Sequence, residues 1–181
     1  MLMNISGRYD LLIGDILVDP ISGPIEILSI NDNTINIKYL DEFEYEDTVL
    51  FENITHNMLH NPYNKNIFGV ACIGVVNSGY ITSNEFFIWK DMIVKCYNKS
   101  SKQYKNYGGV GVTVCNKWLC FENFNNDLPK LPGYYNWKND FNNYYLNKDI
   151  KSNRLGRLYS DRTCCFTKNN TIFKEICKIS N

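Results

Sequence analysis

"YYLNKDIKSNRLGRLYSDRTCCF", residues 144–166, decides how the second half of this chain folds. "YYLNKDI" reads as a strand, since aromatic and apolar side chains favour a pleated, half-buried surface. "KSNRLGRLYS" reads as a basic loop with Gly156 in its turn, and "TCCF" as a short returning strand. Downstream, "TIFKEICKI" at 171–179 predicts a helix that Asn169 or Asn170 can cap, with Ile172, Phe173, Ile176 and Cys177 on its apolar face. Asp149 is the only carboxylate of the first strand, and the stretch contains no histidine. Lys148, Lys151, Arg154, Arg157, Arg162 and Lys168 fall within 21 residues, a density of cations suited to phosphate contacts.

Upstream, "TSNEFFIWKDMIVKCYN" at 82–98 places Thr82 three residues before Glu85 as a capping box. Trp89, Met92, Ile93, Cys96 and Tyr97 then recur at helical spacing, which predicts a helix with one apolar face. In "YGGVGVTVC" Gly108 and Gly109 permit a tight turn, and Val110, Val112 and Val114 suit a short strand ending at Cys115. "NKWLCFENFNNDL" at 116–128 sets Trp118, Phe121 and Leu128 on one side of a second helix, ended by Pro129.

The first third of the chain changes period. "IEILSINDNTINIKYLDEFEYEDTVL" at 25–50 alternates apolar and polar residues around Asn31-Asp32-Asn33, residues that tolerate hairpin turns. With "GDILVD" before it and no helical period in the first 60 residues, two or three antiparallel strands in a small SH3-like or Tudor-like β-barrel are expected over 1–62. The Asn-rich run "HNPYNKN" at 60–66 marks the linker, set at 63–67, leaving 68–181 as the second domain of an α+β protein.

Composition narrows the function classes. The chain has 181 residues, 44% of them hydrophobic, enough for a core. No apolar run approaches the ~18 residues of a membrane span, and "MLMNISGRYD" lacks the features of a signal peptide, so a cytoplasmic protein without a membrane partner is expected. The zero formal net charge conceals a division: residues 1–65 carry three basic against eleven acidic side chains, a net of −8, and residues 66–181 carry sixteen against eight, a net of +8. Such asymmetry points to a nucleic-acid-binding half and a differently employed partner half.

"WKDMIVKCYN", "YKNYGGVGVTVCNKWLCFENF", "LNKDI" and "YSDRTCCF" together resemble a family of phage-encoded HNH-like endonucleases over roughly residues 66–173. The predicted strand-loop-strand-helix order has the skeleton of that family's ββα-metal finger, and the first 62 residues resemble, more loosely, a segment that precedes it in some members. The resemblance implies a DNA-cleaving or DNA-binding domain acting in the cytoplasm of a phage-infected or prophage-carrying bacterium. Cleavage by such a site requires a general base, usually His, and ligands for Mg²⁺ or Mn²⁺. Asn147 and Lys148 stand where the family's pattern calls for an acid and then a histidine, and His56 and His60 lie outside the motif. Asp149, with Tyr159, is left to hold a metal or activate water, so the scaffold reads as catalytically degenerate: DNA is bound, and cleavage is weak or lost. An active endonuclease using Asp149 and Tyr159 is the alternative.

The cysteines and the acidic stretch carry two further expectations. The resemblance implies that Cys96, Cys115, Cys164 and Cys165 make a structural Zn²⁺ site, while Cys72, Cys120 and Cys177 simply pack in the core. In "LDEFEYEDTVLFE", Asp41, Glu42, Glu44, Glu46, Asp47 and Glu52 alternate with Phe43, Tyr45 and Phe51. Such a pattern can mimic a phosphate track and occupy a host nucleic-acid-binding enzyme, as a phage counter-defence protein would; the plainer reading is a charged edge strand protected from aggregation.

Overall fold

The structure, a computed structural model, describes residues 11–150 and 156–168. The chain divides into two compact units with the cut between Asn64 and Lys65. It is a mixed α+β protein, and no helix among the described residues is long and apolar enough to cross a membrane.

In the first unit β1 (Ile16–Asp19), β2 (Gly23–Ile30), β3 (Thr34–Tyr39) and β4 (Glu46–Leu50) form an antiparallel sheet in sequence order. The alternation of the sequence sets the register. Ile25 faces Tyr39 and Ile27 faces Ile37, and all four are fully buried with Leu17 and Ile35. Each buried isoleucine contributes about 1.5–3 kcal/mol relative to exposure. The turn at Asn31-Asp32-Asn33 is closed by the Asn31 N–H donating to the Thr34 carbonyl at 2.9 Å. Register shifts between Ile27 and Ser29, a bulge that bends β2.

The expected barrel is not closed among the described residues: β1 and β4 each pair on one side only. Closure is replaced by a feature the sequence reading excluded, a short helix α1 (Phe51–Thr55), whose Ile54 completes the core with Leu59.

The second unit gathers around α2 (Asn84–Tyr97), with β5 (Thr113–Val114), α3 (Phe121–Asp127), α4 (Tyr134–Asn139), β6 (Tyr144–Asn147), β7 (Leu158–Tyr159) and β8 (Cys165–Lys168) following. Trp89, Ile93, Trp118, Phe121, Phe124 and Leu128 are fully buried at its centre. Indole N–H groups are buried only with acceptors: Trp89 donates to the Trp118 carbonyl at 2.8 Å, and Trp118 to Asp127 at 3.0 Å.

Three local readings shift. The cap of α2 is Ser83, which accepts from the Phe86 N–H at 3.2 Å, because Thr82 is held in the preceding 3-10 turn Ser78–Thr82. The valine strand shrinks to Thr113–Val114, since Gly108–Val110 forms a 3-10 turn passing close to α2; a Cβ on Gly108 would lie 2.0 Å from the Cys96 carbonyl oxygen. The second helix is broken at Cys120, which is extended (φ −97°, ψ 124°) and bridges to Cys72.

The strand-loop-strand outline of the opening stretch is present. β6 and β8 pair antiparallel, Tyr144 opposite Lys168 and Asn147 opposite Cys165. Between them the chain makes a detour: β7 leaves the hairpin and pairs in parallel with β5, Tyr159 beside Val114. The helix expected at 171–179 lies outside the described residues.

Candidate functional site

Where β6 ends, the Asn147 side-chain oxygen accepts the N–H groups of Asp149 (2.8 Å) and Ile150 (3.0 Å). This local turn, the ordinary use of Asn at a chain bend, carries Lys148 and Asp149 off the strand. They reach a groove of about 390 Å³ whose other wall is one stripe of α2, namely Asn84, Phe87, Ile88, Asp91, Met92 and Lys95. Steps of three and four residues keep that stripe on one helical face. Tyr107, Trp137, Phe141 and Tyr159 complete the lining with Tyr144, Tyr145 and Leu146.

Lys148 is only 8% exposed. Its ammonium lies 5.9 Å from the centre of the Tyr107 ring and 5.8 Å from that of Tyr159, and it is paired with Asp149. Two aromatic faces and one carboxylate replace the water the ammonium has lost. Tyr107 is shared: Lys95, paired with Asp91 one turn back on α2, holds its ammonium 5.5 Å from the same ring. The groove therefore contains two ion pairs whose lysines both approach one tyrosine ring.

The groove unites both residues expected to act in catalysis, Asp149 and Tyr159. Burial pushes the Tyr159 phenol well above the usual value, which keeps it protonated near neutral pH. Asp149 is engaged with Lys148, and among the described residues no three His, Cys, Asp or Glu side chains come together to hold a metal ion. The described residues thus assemble no three-ligand group of the kind that the Mg²⁺ or Mn²⁺ centre implied by the resemblance would use.

The same absence bears on the expected zinc ligands. Cys96, Cys164 and Cys165 are buried and Cys115 half-buried. Burial raises the Cys96 thiol to about 11, the Cys164 thiol to about 12 and the Cys115 thiol above its usual value. The pair that does form is Cys72 and Cys120, partners in a parallel bridge. The Cys72 thiol hydrogen-bonds to Cys120 and, outweighing burial, lowers its pKa together with the Asn123 and Glu122 N–H groups. Cys177 lies outside the described residues.

Of the six expected phosphate-binding cations, Lys148 lines the groove, and Lys168, which does not, lies 5.3 Å from the centre of the ring of Tyr144, a lining residue. Arg157 and Arg162 are exposed and do not line the groove. Lys151 and Arg154 lie outside the described residues. Phe87, Asp91, Lys95, Tyr107 and Phe141 are site residues that sequence reasoning missed. The α2 part had a legible signal, a second stripe beside the core face, but Tyr107 and Phe141 come from separate loops with no shared spacing.

In the first unit the acidic stretch is partly engaged within the fold. Asp41 accepts from the Phe43 N–H (2.9 Å), the Glu44 N–H (3.1 Å) and the Asn61 amide (2.7 Å). Glu44, in the left-handed region at φ 48°, pairs with Lys38 at 2.9 Å. β4, with Glu46 and Asp47, is an edge strand among the described residues.

No family model matches the chain, and none of the curated proteins or solved structures does.

Proposed function

We propose that the Lys65–Asn181 unit binds nucleic acid on a degenerate HNH-like scaffold, with cleavage weak or lost. The observation that carries this reading is Lys148, a nearly buried ammonium between Tyr107 and Tyr159 at the end of the strand whose carboxylate, Asp149, it neutralises. A hydrolytic site at that place needs a base and metal ligands; a cation with aromatic neighbours suits phosphate and base contacts. The β6/β8 hairpin, the +8 charge and the motif likeness to phage-encoded HNH-like endonucleases support the same reading. The bulged antiparallel sheet of the first unit supports an SH3-like or Tudor-like accessory unit. The work of such a protein would be done in the host cytoplasm.

The test is incubation of the full chain with supercoiled plasmid in Mg²⁺ and then Mn²⁺, beside Asp149→Ala. The expected result is intact plasmid retarded on a gel. Nicked or linear product that disappears with Asp149→Ala would instead establish an active nuclease. Plasmid neither cut nor retarded would turn attention to a host protein partner for the acidic first unit.

A further inference from the structure

We infer that the groove between α2 and β6 takes one unpaired nucleotide of a single strand, its base against the aromatic rim and its phosphate toward Lys95 and Lys148. This rests on the nucleic-acid reading and specifies the form of its ligand. Three observations carry it.

Phe87 is 57% exposed and Phe141 50%, yet both line the same cavity from different elements. Exposed aromatic faces around a concavity are a feature of binding sites, and a nucleobase is the part of a nucleic acid that stacks on them. The volume, about 390 Å³, lies at the small end of the range for ligand pockets. In a duplex each base is covered above and below by its neighbours, so only an unpaired or extruded base offers a free face.

The charges agree. A track for duplex phosphates needs a row of cations facing solvent, whereas here Lys95 and Lys148 are each paired with a carboxylate and share the Tyr107 ring. Alternating charge in a confined aromatic site matches one nucleotide, whose base carries donors and acceptors and whose phosphate carries the charge. Lys168, beside the ring of the groove residue Tyr144, is placed to meet the next phosphate of an extended strand.

The experiment is fluorescence anisotropy of the full chain with a labelled oligodeoxythymidylate of about 12 nucleotides, the matching oligouridylate, and a duplex of the same length. Phe87→Ala and Phe141→Ala are suited to it because both side chains are largely exposed, and Phe87→Tyr retains a stacking face. The expected result is tighter binding of single strands than of duplex, a loss of about 5- to 20-fold in each alanine variant, and retention in Phe87→Tyr. The two single strands distinguish a DNA from an RNA ligand. Equal or tighter duplex binding, unmoved by either alanine but lost in Arg157→Glu with Arg162→Glu, would overturn the groove assignment and leave the nucleic-acid reading standing. No binding of any probe would remove both.

Discussion

The two units use their carboxylates in different ways. In the acidic unit carboxylates fasten backbone turns: Asp15 accepts the Leu12 N–H, Asp19 those of Ile21 and Ser22, and Asp41 those of Phe43 and Glu44. In the basic unit they hold lysines: Glu85 pairs with Lys138, Asp91 with Lys95, Asp127 with Lys117 and Lys130, and Asp149 with Lys148. Four carboxylates thus hold five lysines, and the net charge of +8 over residues 66–181 already counts both. The cations that matter for a ligand are those the fold places beside aromatic rings.

The largest expected effect challenges the apolar side of that contrast. Ile37→Ala empties a fully buried site in the sheet and should destabilise the acidic unit by about 2–5 kcal/mol in urea unfolding. A loss below about 1 kcal/mol would show that turns hemmed by carboxylates, rather than the isoleucine core, hold this unit together.

Next comes the buried carboxylate of the basic unit. Asp127 is 3% exposed, and burial works against its charge, but hydrogen bonds from Lys117, Trp118 and Lys130 outweigh that and keep its pKa below the usual value. Asp127→Ala leaves the Trp118 N–H without its acceptor and should cost about 2–3 kcal/mol at neutral pH, its exposed lysine partners adding little. A carboxyl with a depressed folded pKa stabilises above its unfolded value, about 4, and loses that contribution as pH falls through the folded value. The gap between the parent chain and Asp127→Ala should accordingly narrow below about pH 4. A gap that held constant to pH 2 would mean the charge is not what stabilises.

Lys148→Met sharpens the distinction between a cation that stabilises and one that binds. The methionine fills similar space between Tyr107 and Tyr159, and half-exposed Asp149 can take up water, so stability should change by less than about 1 kcal/mol. Oligonucleotide affinity should fall about tenfold, read by anisotropy. Unfolding of this variant would assign Lys148 to the fold instead of the ligand. The smallest effect is Asp41→Ala, about 1 kcal/mol by thermal unfolding, from the freed Phe43 and Glu44 N–H groups and the Asn61 side-chain amide.

Local patterns were legible where neighbouring residues decide. The alternation at 25–39 and the Asn31-Asp32-Asn33 turn produce β2 and β3, and the spacing of Trp89, Met92, Ile93 and Cys96 produces the buried face of α2. Where two residues compete, as Thr82 and Ser83 do for one cap, the choice fell to the preceding 3-10 turn. The break at Cys120 was illegible because its cause, the bridge to Cys72, lies 48 residues away in sequence.

The candidate site divides in the same way. By itself the sequence determined which chemical groups were available: a strand ending in Lys148 and Asp149, a tyrosine after a basic loop, and no histidine nearby. Only the tertiary structure decided that β7 crosses to β5, that Tyr107 and Tyr159 both approach one ammonium, and that the four expected cysteines do not form a metal group among the described residues. The reason is physical: a strand or helix face is set by repeats of two to four residues, whereas the groove is set by which distant surfaces bury one another, and no local period records that.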